Sequence, residues 1–466
     1  MDLKGKHIIY FIGIGGIGMS AIARYFLSME CTVAGYDRTR SQLTDELESE
    51  GCSIHFDDNI LKIPAEYKVK ANIDQVLVIY TPAIPNDHLE LSYFKENNYQ
   101  IQKRSQVLGE LTNGSSLIAV AGTHGKTTIS TLIAHILSTS DIGCTAFLGG
   151  ISKNYFSNFI SGNTAISVAE ADEYDRSFLW LHPEYAIITS VDSDHLDIYK
   201  DETNLKKSFL EFVNNIKDGG TLLVNERVRL PEIKRKNLSI FSYSLDQETD
   251  FYATNIRVEQ GLYIFDFIGP NRIIEGIKMS FPGRINIENA IAAIGVSLQL
   301  GVSDSTIRKA LVSFTGIKRR FDIRYHSDVL TYIDDYAHHP VEIRSIILSV
   351  KELYKGQKLT GIFQPHLYSR TQDLYMDFAQ SLDELDKLIL LDIYPAREEP
   401  IPGVSSEIIL NQVSIEEKMI LSNEEALEYV QSMESGVLLT LGAGDIDKLT
   451  RPIEKIFKER INISEV

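Results

Sequence analysis

Residues 116–128 read Ser-Leu-Ile-Ala-Val-Ala-Gly-Thr-His-Gly-Lys-Thr-Thr, and this stretch decides the fold. Leu117 to Ala121 is a short apolar run of the kind that forms a strand buried on both faces. Glycines interrupt it, and Thr127 to Ser138 resumes with helical length and spacing. Strand, glycine turn and helix in that order make a phosphate-binding loop. The backbone N–H groups of Gly122, Thr123, His124, Gly125 and Thr128 are expected to cradle phosphates. Lys126 is expected to reach the terminal phosphates, and Thr127 to ligate Mg²⁺. Val120 stands where the longer G-x-x-x-x-G-K-[ST] pattern has its first glycine, so this is the shorter form.

Working outward, the next requirement is a carboxylate at the mouth of a neighbouring strand, where Mg²⁺ is held. The run Ala165–Ala169 is followed by Glu170, Asp172, Glu173 and Asp175. Glu170 is the best placed. A second strand candidate, Ala186–Val191, leads into Asp192, Asp194, His195 and Asp197. His195 among acids at a strand end is a candidate for a further cation contact. It has no Cys or His partner at zinc spacing.

A second glycine loop opens the chain. Gly13-Ile14-Gly15-Gly16-Ile17-Gly18 satisfies G-x-G-x-x-G between a strand and a helix, and Asp37 ends the next strand. Gly13, Gly15, Gly16 and Gly18 are thus candidates for a diphosphate cradle, with Asp37 as a ribose acceptor. Alone, this loop reads as an NAD-binding oxidoreductase. It establishes a diphosphate, not the nucleotide that carries it, and two phosphate loops exceed what a simple dehydrogenase needs.

Strand runs alternate with amphipathic stretches throughout, which is the pattern of parallel α/β units. Three α/β domains in series are expected, over residues 1–112, 113–316 and 317–466. Residues 249–280 alternate without intervening helices and read as an antiparallel patch. The third domain carries Asp334-Asp335-Tyr336-Ala337-His338-His339, Phe363-Gln364-Pro365-His366 with Arg370, and Asp392-Ile393-Tyr394-Pro395-Ala396-Arg397 at expected strand ends. Ligands of open α/β sheets bind beyond such ends. Arginine there selects a carboxylate or phosphate.

The chain has 466 residues and a formal net charge of -18, with 44% hydrophobic residues. That is enough apolar content for several cores and excludes pervasive disorder. The acidic balance argues against nucleic acid or an anionic membrane as the main partner. Three cysteines without a Cys-x-x-Cys pair fit a reducing compartment. The apolar N-terminus is broken by glycines and reads as strand, turn and helix rather than a signal peptide. No apolar run reaches transmembrane length. A cytoplasmic protein is expected.

Taken together, these segments resemble the Mur ligases, the ATP-dependent amino-acid ligases of bacterial peptidoglycan precursor synthesis. The markers are GIGGIGMSAIA, GTHGKTT, EADEYDRSF, SDHLD, GRINIENA, GIKRRFD, DDYAHHPVEI, FQPHLYSRT, DIYPAREEPIPG and LGAGDI, in the family's order. DDYAHHP, FQPH and YPA point within the family to the alanine-adding branch. The resemblance implies three domains. They are a Rossmann-like UDP-binding domain, a central P-loop domain with a mostly parallel sheet, and a Rossmann-like C-terminal domain. It implies ligation of L-alanine to the lactyl carboxylate of UDP-N-acetylmuramate with ATP and Mg²⁺. A related enzyme adding serine, glycine or a peptide is the alternative. It implies ATP contacts from Lys126, Thr127, Asn286, Asn289 and Arg320, and Mg²⁺ contacts from Thr127, Glu170 and His195. Tyr336, His338, His366 and Arg370 would surround the amino acid, with Lys126, His338 and Arg370 as catalytic groups. A cytoplasmic bacterial monomer or weak homodimer is expected.

Three positions depart from the family's pattern. Ile285 replaces the His of G-R-H-N, Leu367 replaces the Arg of F-Q-P-H-R, and Arg397 stands where Gly is usual. Lys206 and Lys207 lie where some Mur ligases carry a carbamylated lysine, which the alanine-adding branch is not expected to use.

Overall fold

The computed structural model describes residues 5–192, 199, 201–396 and 398–464. The chain divides into two compact units. One is Met1–Thr254 with Asp266–Ile277 and Glu288–Ser313, and the other is Asn255–Phe265 with Lys278–Ile287 and Phe314–Val466. Three sheets run through the chain, flanked by helices, as the α/β reading expects.

The first unit holds two of the sheets. One contains Ile8–Ile12, Thr32–Tyr36, Ser53–His55, Val76–Tyr80 and Gln100–Lys103, all paired in parallel. Its spatial order is third, second, first, fourth, fifth, so the order reverses beside Ile8–Ile12. Ile9 to Ile12 are fully buried, which explains an unbroken apolar run rather than an alternating one. Gly13 follows this strand directly, at the reversal where such sheets bind ligands.

The parallel part of the second sheet runs in the order Phe251–Glu259, Ser239–Ser244, Thr221–Asn225, Tyr185–Ile188, Ser116–Ala121, Ile166–Glu170 and Thr145–Ser152, so the first strand of the expected antiparallel patch joins the sheet in parallel. Ser157–Ile160 is added antiparallel at the edge. Val120 is in register with Glu170, and Ala121 with Ile188. The phosphate loop, the acidic loop and Thr189 therefore leave the sheet on one edge. Phe251–Glu259, Leu262–Gly269 and Arg272–Met279 form the expected helix-free patch. Two-residue loops connect them. Gln260 and Gly261 both have positive φ (53° and 76°), the backbone of a tight hairpin.

These two sheets share one core, which is why two α/β segments make one unit. The helix Ile17–Ser28 packs on Thr145–Ser152 and Ser157–Ile160. The Tyr25 ring centroid lies 5.7 Å from Phe147 and 6.0 Å from Phe159. The fully buried Asn158 amide donates to Ile17 O at 2.6 Å and Ser20 Oγ at 2.9 Å, and accepts from Arg24 Nη1 at 2.5 Å.

The second unit holds the third sheet. Its order is Asp322–His326, Leu330–Asp335, Gly436–Leu441, Leu359–Phe363, Lys387–Leu390, Lys418–Ile420. All pairs are parallel except the first. Asp335 and Phe363 both pair with Leu441, so the segments that follow them emerge side by side. No helix among the described residues is long and apolar enough to cross a membrane.

Candidate active site

In the first unit, the phosphate loop is built as its glycines dictate. Gly122 and Gly125 take φ of 132° and 80°, where an L side chain is strained. A β-carbon at Gly122 would overlap Thr189, and one at Gly125 would fall 2.8 Å from Asn289 Oδ1. Thr189-Ser190-Asp192 props the loop from the adjacent strand end. Ser190 Oγ accepts from His124 N at 3.0 Å and lies 2.8 Å from Thr123 Oγ1. The Thr189 hydroxyl donates to His124 O. His124 Nε2 sits 3.4 Å from Asp192 Oδ2.

Lys126 and Thr127 begin the helix Lys126–Thr139. The Thr127 hydroxyl donates to Glu170 Oε2 at 2.8 Å. A β-carbon at Gly149 would overlap this carboxylate, so Glu170 reaches Thr127 only because position 149 is bare. A hydroxyl and a carboxylate side by side are hard oxygen donors that fit Mg²⁺, which takes few protein ligands and draws the rest from phosphates and water. No three His, Cys, Asp or Glu side chains among the described residues form a closed metal cage. His195 lies outside the described residues. Lys206 pairs with Glu202 at 2.5 Å on their own helix.

Lys126 Nζ donates to Gly122 O at 2.6 Å and is held by Glu173, whose side chain is 1% exposed, at 2.8–3.0 Å. Burial alone would lower the ammonium pKa, but Glu173, Glu170 and Asp172 together hold it above its ordinary value. Lys126 is therefore charged. Sequence reasoning weighed Glu173 only as one of four loop acids. Its role as the lysine's partner shows only when the strand register is known.

The glycine loop of the first sheet is closed by its own backbone. Gly13 N donates to Tyr36 O at 2.7 Å and Gly16 N to Gly13 O at 3.3 Å. Asp37 accepts from Gly15 N at 2.7 Å and from Thr39 N at 3.0 Å. The acid expected at a ribose thus stabilises the loop itself. Gly16 and Gly18 line a cavity of about 240 Å³ together with Thr81, Arg104, Glu170 and Asp172. The first glycine loop, through Gly16 and Gly18, and Glu170, the partner of Thr127, line the same space. Arg104 went unnoticed as a lone arginine in a polar run, although its place at the end of Gln100–Lys103 was a signal.

On the helix Arg284–Gln299, Asn286 donates to Pro282 O at 2.6 Å, and Asn289 lies against the phosphate loop as described. Ile285 is 37% exposed.

In the second unit, Tyr336, His338 and His366 form a chain of rings. Tyr336 meets His338 edge-on at 5.3 Å, His338 meets His366 at 6.2 Å, and His366 stacks on Tyr394 at 5.7 Å. The Arg319 and Arg320 guanidiniums lie 5.2 and 5.0 Å from the Tyr336 ring centre. His338 Nδ1 lies 3.1 Å from Tyr336 O, an acceptor, so Nδ1 carries the proton and Nε2 is left as a base. Burial pushes the His338 pKa down to about 4, against the pull of Glu342 and with help from the positive charge of Arg370. Glu342 also accepts from the His338 N–H at 3.1 Å. Asp335, raised to about 6 by burial against the pull of Arg320, accepts from Phe321 N and Ala337 N at 2.7 and 2.8 Å and fixes this turn.

Leu367 has φ 73°, ψ 135° and caps the helix Tyr368–Leu382 that carries Arg370. Such a conformation costs a non-glycine residue about 1–3 kcal/mol. Its N–H donates to Tyr394 O at 2.9 Å, and its C=O accepts from Thr371 N at 3.1 Å and Oγ1 at 2.8 Å. Ser369 N donates to Glu398 at 2.9 Å. Arg397 lies outside the described residues.

Family models match the chain in three consecutive segments. Residues 8–116 match the Mur ligase family catalytic domain, 120–297 the Mur ligase middle domain, and 319–444 the Mur ligase glutamate ligase domain. The UDP-N-acetylmuramate–L-alanine ligase of Parabacteroides distasonis is 48% identical over 462 residues, covering 99% of both chains. That of Porphyromonas gingivalis is 48% identical over 450 residues, covering 96% of this chain and 98% of the relative. The crystal structure of the UDP-N-acetylmuramate–alanine ligase of Thermotoga maritima superposes with a TM-score of 0.80 at 26% identity, covering 97% and 99% of the two chains. The loops, the register that joins them and matches along nearly the whole length agree: the chain belongs to the Mur ligase family.

Proposed function

We propose that this chain ligates L-alanine to the lactyl carboxylate of UDP-N-acetylmuramate, converting ATP to ADP and phosphate through an acyl phosphate. The observation that carries this reading is a cavity bounded by Gly16 and Gly18 on one side and by Glu170, the hydroxyl partner of Thr127, on the other. It suits a reaction in which a nucleotide sugar's carboxylate must meet a terminal phosphate. The full-length likeness to alanine ligases supports the choice of substrates.

We assign UDP-sugar binding to residues 1–112, ATP binding to 113–316 and amino-acid binding to 317–466. Gly13, Gly15, Gly16 and Gly18 let the diphosphate approach the N-terminus of the helix Ile17–Ser28 by leaving the backbone bare, since the N–H groups of Gly13, Gly15 and Gly16 are taken within the loop, and Asp37 holds the loop in shape. Gly122 to Thr128 enclose the ATP phosphates, and Asn286, Asn289 and Arg320 contact the nucleotide. Thr127 and Glu170, with His195, would hold Mg²⁺, which would supply positive charge to the phosphoryl oxygens. The carboxylate attacks the γ-phosphorus, and the bond to the ADP oxygen breaks. Lys126 neutralises charge on the transferring group. The neutral amine of alanine then attacks the acyl carbon. His338 Nε2 accepts the amine proton, and phosphate leaves with the C–O bond electrons. Tyr336, His366 and Arg370 orient the amino acid. We place the enzyme in the bacterial cytoplasm, as a monomer or weak homodimer. Free Cys31, Cys52 and Cys144 fit a reducing compartment.

Phosphate release from ATP, measured with UDP-N-acetylmuramate and with L-alanine, L-serine, glycine or a peptide in turn, tests this reading. Release that needs both the nucleotide sugar and alanine is expected. Release with the peptide alone would replace alanine by the peptide, and no release would refute the ligase.

A further inference from the structure

Arg104 opens the helix Arg104–Thr112 at the end of the strand Gln100–Lys103, and it lines the cavity between the glycine loop and Glu170. Its side chain is only 17% exposed. A guanidinium offers five N–H donors. Asp172 is its only polar partner among the described residues, accepting from Nη2 at 3.0 Å. The Nε and Nη1 donors have no protein acceptor among the described residues and are not sealed from solvent, so both are open to a ligand in the cavity.

The glycine motif accommodates this arrangement. A β-carbon at Gly18 would fall 2.5 Å from Arg104 Nη1 and 3.1 Å from Cζ, so the guanidinium lies over the bare backbone of that residue. The third glycine of the motif therefore makes room for an arginine. Gly18 belongs to the first turn of Ile17–Ser28, where the helix dipole also favours an anion.

The charge balance identifies that anion. The cavity wall already carries Glu170 and Asp172. An incoming carboxylate is repelled by both unless cations face it. Mg²⁺ at Thr127 and Glu170 would answer one. Arg104 is the only other cationic side chain lining the cavity among the described residues. Asp172, itself fixed by accepting from Tyr174 N at 3.1 Å, orients the guanidinium and leaves one edge of the fork open. Such an open edge matches a carboxylate in shape and charge.

We propose that Arg104 holds the lactyl carboxylate of UDP-N-acetylmuramate through the donors that Asp172 leaves unused, with Asp172 as its positioning residue. This rests on the assignment of that nucleotide sugar to the cavity. Arg104 selects for the acid over the otherwise similar UDP-N-acetylglucosamine and holds the nucleophile toward the phosphate loop.

The test is calorimetric titration of the full chain and of Arg104→Gln and Arg104→Lys, with MgCl₂ and a non-hydrolysable ATP analogue present. The ligands are UDP, UDP-N-acetylglucosamine and UDP-N-acetylmuramate. The unsubstituted protein is expected to prefer the muramate over the glucosamine by about tenfold to a hundredfold. In Arg104→Gln that preference should fall to within about threefold, while UDP affinity stays within about twofold and shows that the site is folded. Arg104→Lys, which keeps charge but not the fork, should fall between. Equal weakening of all three ligands would assign the guanidinium to the diphosphate and overturn the proposal. Unchanged affinities would confine Arg104 to holding Asp172 and overturn it as well. An unsubstituted protein with no preference for the muramate would refute the functional reading itself, before any variant is compared.

Discussion

Lys126 Nζ lies 2.8 Å from Glu173 Oε2, so the lysine of the phosphate loop is paired with a buried carboxylate. The pair has a structural consequence, because removing one partner of a buried ion pair leaves the other uncompensated.

Lys126→Ala is therefore expected to have two separable effects. Phosphate release should fall by about a thousandfold or more, and stability should drop by about 3–5 kcal/mol because Glu173 is stranded. The double variant Lys126→Ala/Glu173→Gln should recover most of that stability and none of the activity. Thermal denaturation and phosphate release on both variants check this. UDP-N-acetylmuramate should still bind the double variant, since the glycine loop is untouched.

Gly149→Ala should mimic a metal-site mutation without changing any donor. Its methyl group would overlap Glu170 and push the carboxylate away from Thr127. The Mg²⁺ concentration needed for half-maximal rate is expected to rise by about tenfold, as for Glu170→Gln. A Mg²⁺ titration of the rate distinguishes this from a general loss of fold, which excess metal would not rescue.

The lowered pKa of His338 fixes the sign of a pH effect. The unfolded imidazole titrates near 6.5 and the folded one at about 4. Between those values the unfolded chain binds more protons, so the contribution is intact above pH 6.5 and is lost as pH falls toward 4. The loss is on the order of 3 kcal/mol. His338→Gln should flatten the stability profile in that window. In the enzyme at neutral pH the imidazole is uncharged, so the rate above pH 6 should follow the protonation of the amino-acid amine and show no step near 6.5.

Leu367→Arg should leave the strained backbone as it is and add a cation beside Arg370. The KM for alanine is expected to fall by about fivefold with kcat nearly unchanged, as read from initial rates. A fall in kcat instead would mean that the leucine side chain itself holds the helix start in place.

Much of this architecture was legible because the phosphate loops carry their own context. The strand Ser116–Ala121, the glycine turn and the helix after it need no tertiary information. Glu170 was identified from its place at a strand mouth, and the parallel register then set it beside Thr127. What escaped were features that exist only in three dimensions. The strand Asp322–His326 was missed because Asp-Ile-Arg-Tyr-His has no strong apolar signature and is specified by its antiparallel neighbour. That the first two α/β segments share one core depends on Asn158 and Tyr25 reaching across sequence-distant surfaces. The sequence presents Gly18 only as part of a diphosphate cradle and gives no sign that Arg104 lies over it. The strain at Leu367 leaves no mark on composition or periodicity.

The central claim is that a carboxylate of the nucleotide sugar is activated by phosphorylation. The most direct measurement is to label that carboxylate of UDP-N-acetylmuramate with heavy oxygen, run the reaction with ATP and L-alanine, and weigh the released phosphate by mass spectrometry. One labelled oxygen in each phosphate is expected, because the acyl C–O bond breaks when the amide forms. Unlabelled phosphate accompanying product would contradict the acyl-phosphate route.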